Sequence, residues 1–144
     1  MASHSEGMLT EANGDYSHAE GYDTTAGAYT AHAEGWETQA NGYASHAEGG
    51  RTQASGAYSH VSGFANISNT DYQTVIGKAN AVEASKAFII GNGPIENDYS
   101  VTYSKRKNAM TVDWNGNMEL AGGIILKDTS NNKKYKLTIT NGSL

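Results

Sequence analysis

Along most of the chain, tiny side chains alternate with polar ones in five-residue runs. Three runs are near copies: Ser17-His18-Ala19-Glu20-Gly21, Ala31-His32-Ala33-Glu34-Gly35 and Ser45-His46-Ala47-Glu48-Gly49. Looser versions run from Ser3 to Gly7 and from Ser59 to Gly63, always at a step of 14 residues. In the same register, Gln73-Thr74-Val75-Ile76-Gly77 and Ala87-Phe88-Ile89-Ile90-Gly91 carry apolar residues at several of these positions. Alternation with a period of two predicts strands with two unlike faces. A fixed longer period held without insertion predicts a solenoid, one coil per repeat.

A weaker phrase completes each repeat: Ala12-Asn13-Gly14, Ala26-Gly27-Ala28, Ala40-Asn41-Gly42 and Ala54-Ser55-Gly56. Two five-residue strands and two two-residue turns account for the 14 positions. One row of turns is predicted at Met8-Leu9, Tyr22-Asp23, Trp36-Glu37 and Gly50-Arg51. The other falls at Asp15-Tyr16, near Ala28-Tyr29, at Tyr43-Ala44 and at Ala57-Tyr58. Ser17, Ala19 and Gly21 are expected to face inward with Thr24 and Ala26, and Thr10, Thr24, Thr38 and Thr52 share that register. An interior admitting only Ala, Ser and Thr buries little apolar surface against the ordering entropy, so one chain is expected to need partners.

The opposite face carries all five histidines, His4, His18, His32, His46 and His60, in one column. Glu6, Glu20, Glu34 and Glu48 form the neighbouring column. The same columns continue as Thr74 with Ile76, then Phe88 with Ile90. A face that turns from His/Glu to Phe/Ile without losing register predicts one continuous contact surface.

Gly91-Asn92-Gly93-Pro94 ends the repeat, because Gly and Pro weaken strand pairing and Pro lacks a backbone donor. The chain is therefore divided at 91, with residues 1–91 as the roll and 92–144 as a small C-terminal β region. Tyr99, Val101 and Tyr103 alternate with Ser100, Thr102 and Ser104 and predict a strand. Met110 to Trp114 and Asn117 to Ala121 flank Asn115-Gly116, a strong hairpin signal. Ile124 to Leu126 and Lys134 to Thr140 read as strands about a turn at Thr129 to Asn132, with Tyr135, Leu137 and Ile139 on one face. Helix is expected to be minimal.

Composition narrows the function classes. Residues 1–77 hold nine acids and one base (Arg51), a balance of −8, while residues 78–144 hold six acids and nine bases, a balance of +3. The acidic half argues against a nucleic-acid partner, since phosphate contacts need Lys and Arg, and Lys105-Arg106-Lys107 reads as a solvated turn. Without cysteine there is no disulfide or thiol chemistry. No apolar run approaches the roughly 20 residues that cross a bilayer.

Catalysis needs one constellation in one pocket, and a ladder of five His-containing repeats is not that, so no catalytic residue is assigned. No metal or cofactor is assigned either. The carboxylate beside each His is a simpler partner than an ion, and the Gly-Gly-x-Gly-x-Asp calcium turn is absent. A His/Glu ladder between chains would specify register more than stability. Pairing should lower Glu pKa values and raise those of His, favouring neutral to mildly acidic pH.

The repeat from residue 3 to 91 resembles the head repeats of YadA-like trimeric autotransporter adhesins, in which Ser-Val-Ala-Ile-Gly phrases alternate with Ala-x-Gly phrases. Its His/Glu form is similar to tail and fibre proteins of phages and prophages of Gram-positive bacteria, as is the stretch from Asn108 to Asn117. The resemblance implies a left-handed parallel β-roll in an intertwined homotrimer. It implies a threefold interface of His4, His18, His32, His46, His60, Glu6, Glu20, Glu34, Glu48, Thr74, Ile76, Phe88 and Ile90. The C-terminal elements would pack between chains. The expected function is a rigid, multivalent fibre segment of a phage tail or tailocin-like particle, located in the virion and contributing to host attachment. Other tail proteins and a host-surface glycan or envelope receptor would be its partners. A bacterial surface adhesin head and a purely structural virion connector are the alternatives. Tyr16, Tyr22, Tyr29, Trp36, Tyr43 and Tyr58 fall at turns, where rings stack either on sugars or on neighbouring coils.

Overall fold

A computed structural model describes residues 2–96, 99–127, 130 and 133–137. Along the roll, strands alternate long and short: β1 (His4–Met8), β2 (Glu11–Ala12), β3 (His18–Tyr22), β4 (Thr25–Ala26), β5 (His32–Trp36), β6 (Gln39–Ala40), β7 (His46–Gly50) and β8 (Gln53–Ala54). There follow β9 (His60–Val61), β10 (Ile67–Ser68), β11 (Thr74–Lys78) and β12 (Lys86–Asn92). The C-terminal strands are β13 (Asn108–Asp113), β14 (Met118–Leu120), β15 (Ile124–Lys127) and β16 (Lys134–Leu137).

One sheet runs β1-β3-β5-β7-β9-β11-β12-β13-β14, and a second runs β2-β4-β6-β8-β10. From β1 to β12 pairing is parallel, each residue facing its equivalent 14 positions on, as in His18↔His32↔His46↔His60. The result is an all-β chain built on a parallel β-solenoid of about six turns. The return strands span two residues and not the five expected. After Ala26 the backbone bends at once, and Asn13 and Gly14 both donate to the Ala26 carbonyl (2.9 and 3.2 Å). Gly and Asn are poor strand formers, and here they close a turn.

Both rows of turns fall where predicted, one residue later at Tyr29-Thr30. They place non-glycine residues in the left-handed region, among them Asp23, Glu37 and Arg51 on one edge and Tyr16, Thr30 and Tyr58 on the other, at φ of 52 to 58°. That conformation costs roughly 1–2 kcal/mol per residue. Coil-to-coil hydrogen bonds hold it: Asp23 N donates to Met8 O and Thr30 N to Asp15 O, both at 2.9 Å.

Ser17, Ala19, Thr24 and Ala26 are buried, as the alternation requires. Gly21 is not an interior residue; it is exposed, at φ +112°. Its column has a different role. A Cβ on Gly21 would lie 2.1 Å from the carbonyl oxygen of Gly35, and the same clash repeats at Gly7, Gly35, Gly49 and Gly63. The coils approach closely because this column has no side chain.

The interior widens toward the C-terminal end. Ala19, Ala33 and Ala47 give way to Val61, Val75 and Ile89, and Thr24, Thr38 and Thr52 to Asn66 and Asn80. The Thr24 and Thr38 hydroxyls have no hydrogen-bond partner. The asparagines do: Asn80 N donates to Asn66 Oδ1 (3.1 Å), while the Asn80 amide bonds both Ile67 N (2.8 Å) and Ile67 O (3.0 Å).

No strand forms at 99–103. Tyr99 lies at φ +61°, and a 3₁₀ turn covers Tyr103–Lys105. This segment bonds to the roll's edge and, at Lys107 O, to Asn92 N at the end of β12 (3.0 Å). Arg51 donates to Tyr99 O (2.8 Å), Arg106 to Ala65 O (2.6 Å) and Lys107 N to Ala79 O (3.1 Å). The hairpin predicted at Asn115-Gly116 is present, and the Asp113 carboxylate receives the amides of Asn115 and Asn117 (2.9 and 2.8 Å). It adds β13 and β14 to the long sheet, which therefore runs on past position 91. β15 and β16 pair antiparallel; of the turn read at Thr129 to Asn132 only Ser130 is described, and Ile139 lies outside the described residues.

Replacing Gly35 by Ala should destabilise the protein by more than the roughly 1–3 kcal/mol of a strained backbone alone, since a carbonyl blocks the new methyl. Gly116→Ala, at φ +84° with nothing within 4 Å, should stay within that range. Urea unfolding of both variants compares them.

Candidate functional site

The pleat of the long sheet sends His18 and Glu20 to one face, and exact register stacks each on its equivalents. The imidazoles pack ring to ring from His4 to His60, centroids 4.7 to 5.1 Å apart. Each glutamate column member lies beside a column of glycines without side chains. Glu6, Glu20, Glu34 and Glu48, with the glycine after each, line a shallow groove of about 520 Å³.

Histidine and glutamate meet within the chain. His4–Glu6 (3.5 Å) and His18–Glu20 (3.7 Å) pair along one strand, while His46–Glu34 (3.5 Å) and His60–Glu48 (3.6 Å) pair with the preceding coil. The Nε2 atoms of His32, His46 and His60 are sealed from solvent; those of His46 and His60 face only these long carboxylate contacts, and that of His32 makes no hydrogen bond.

Electrostatics reverses one expectation. Burial holds His32 below its ordinary value of 6.5, and the neighbouring His46 and His18 add to the shift; Glu34 and Glu20 oppose it without prevailing. At His32, burial and the neighbouring imidazoles thus disfavour charge more than the carboxylates favour it. Glu48 is lowered as expected, first by the Ser62 hydroxyl and then by His46 and His60, against its own desolvation.

The apolar continuation is present. Thr74 pairs with Phe88 and Ile76 with Ile90, all half-buried. The hairpin extends these columns, because Phe88 faces Val112, Ile90 faces Met110, and these face Met118 and Leu120. The sequence reading missed those four residues. Their alternation about Asn115-Gly116 was the available signal.

The turn aromatics divide between two edges. Tyr16, Tyr29, Tyr43, Tyr58 and Tyr72 form a ladder at 5.2 to 5.5 Å, alternately edge-on and stacked. Tyr72, not singled out from sequence, ends it and is 66% exposed. Interior rings of the ladder have a ring neighbour on both sides, while Tyr16 and Tyr72 at its ends have one. On the other edge Tyr22 is exposed, but Trp36 has the Arg51 guanidinium 4.7 Å over its ring and Phe64 beyond it at 6.3 Å. Arg51 is fixed there by Glu37 (2.7 Å).

Both shifts have the same sign for stability. A histidine lowered on folding and a glutamate lowered on folding each lose stabilisation as pH falls, His32 from about 6.5 downward and Glu48 below its ordinary 4.5. In metal-free buffer the urea midpoint should therefore fall from pH 7 to pH 5, and His32→Gln should flatten that slope. An increase in stability on mild acidification would contradict the assignment.

The chain matches no family model, no curated protein and no solved structure, so what the site does is read from its own geometry.

Proposed function

We propose that the protein is a homotrimeric fibre segment of a phage tail or tailocin-like particle, contributing to host-surface attachment by rigid, multivalent display. The observation that carries this reading is the sheet face whose His/Glu columns become Phe88, Ile90, Met110 and Val112 without a break in register. Nothing in the described residues covers that apolar end. Its half-exposed side chains need an occupant, and a second and third copy would present the same face about one axis.

Surface area points the same way. The chain exposes 8370 Å², against about 7,100 Å² for a compact monomer of 15.3 kDa. The fully buried apolar side chains are mostly alanine, so intrachain burial is small. Met118, Leu120, Ile124 and Leu137 line an apolar hollow at the same end, where C-terminal strands of different chains would pack.

Attachment itself rests on the turns. Several weak contacts repeated three times gain affinity through effective concentration without a deep pocket. One observation favours a structural connector as the second reading: most ring faces in the tyrosine ladder are occupied by neighbours.

Sedimentation should give three times the chain mass, and Phe88→Asp should reduce it. Ile76→Ser, a milder change, serves where Phe88→Asp fails to fold. A stable wild-type monomer overturns the trimer. Tyr16→Ala and Tyr72→Ala, at the open ends of the ladder, should each weaken binding to Gram-positive cells about tenfold through lost avidity. Unchanged binding favours the connector.

A further inference from the structure

The His–Glu face, part of the contact surface in the trimer reading, also holds two side-chain sets built from one chain. Glu20, His32 and Glu34 form one, and Glu34, His46 and Glu48 the other. In each, one donor atom per residue lies within 4.8 Å of both others. An independent observation points to a ligand there. His32 Nε2 is shut off from water and makes no hydrogen bond, while His46 Nε2, equally enclosed, has only the Glu34 carboxylate at 3.5 Å. A buried polar nitrogen without a close partner is unfavourable.

We propose that these two sets bind a divalent transition-metal cation such as Zn²⁺, with Glu34 common to both. The donor set selects the ion. One imidazole nitrogen with two carboxylates suits zinc and its neighbours, whereas calcium and magnesium take all-oxygen shells. Bonds of about 2.0–2.2 Å to a tetrahedral ion put adjacent donors about 3.3–3.5 Å apart. His46 Nε2 and Glu34 Oε1 already stand 3.5 Å apart, and rotation of the glutamate side chains closes the remaining separations. Water completes the shell on the groove side.

The surroundings favour a cation. Residues 1–77 hold nine acids against the single base Arg51, whose guanidinium is engaged by Glu37 and Trp36 at the edge of the roll. Toward the C-terminal side the sets stop for a visible reason. One coil beyond Glu48 the column holds Ser62, so His60 has one carboxylate neighbour and not two.

Every donor comes from one chain, so the proposal does not rest on the trimer. Metal-free protein titrated with Zn²⁺ by calorimetry near neutral pH should bind at least one ion per chain, and Ca²⁺ should not compete. Glu34→Gln should weaken binding at least tenfold, as should His46→Gln to a lesser stoichiometry, while Glu11→Gln on the opposite sheet leaves it unchanged. Circular dichroism confirms that each variant folds. No saturable binding up to about 1 mM Zn²⁺ overturns the proposal. Wild-type affinity in Glu34→Gln does the same. One ion per three chains would place the ion on a symmetry axis and also overturn these sets. A Zn²⁺-binding monomer would overturn the trimer and leave the metal site standing.

Discussion

Each coil lies so close to the next that Gly21 rests on the carbonyl of Gly35, Gly35 on that of Gly49, and so on along the roll. No side chain fits in that column, and the left-handed turn residues beside it are held by hydrogen bonds to the preceding coil. Together they leave one register in which neighbouring coils can stack. A slip of one residue would turn every alanine outward and every histidine inward. The columns of like side chains, and any chemistry built on them, follow from this contact.

Interior and exterior change together along the axis. Inside, alanine gives way to Val61, Val75 and Ile89; outside, His60 with Ser62 gives way to Thr74 with Ile76 and then Phe88 with Ile90. The narrow coils stack through backbone bonds and carry orphan threonine hydroxyls, while the wider coils add asparagine and glutamine side-chain bonds. Arg106 and Asn108 then tie the last turns through the carbonyls of Ala65 and Ala81. The C-terminal end is thus the better packed end and also carries the uncovered apolar face.

Repetition gives the His–Glu face properties that no single pair would have. One His beside one Glu should gain a proton more easily; His32, enclosed in the stack, resists it, first because burial disfavours the charge and then because His46 and His18 lie beside it. The same stacking seals nitrogen atoms that an isolated histidine would expose. On the tyrosine edge, stacking uses ring faces that an isolated tyrosine would offer to a sugar.

Much of this architecture is legible in the residues alone. A 14-residue step without insertion dictates parallel in-register coils, and period-two alternation dictates which residues face inward, so the columns from His4 to Ile90 read correctly. The inward place assigned to Gly21 failed because glycine has no side chain to follow the alternation; its positive φ ends it. The strand expected at 99–103 failed because alternation records side chains, while the backbone there bonds to the roll's turns. Only the tertiary structure brought Met110, Val112, Met118 and Leu120 onto the His–Glu sheet, since a hairpin's own sequence does not say which strand it joins. It also decided that Glu34 meets His46 of the following coil. That contact depends on side-chain rotation across 12 residues of chain, which spacing alone does not determine.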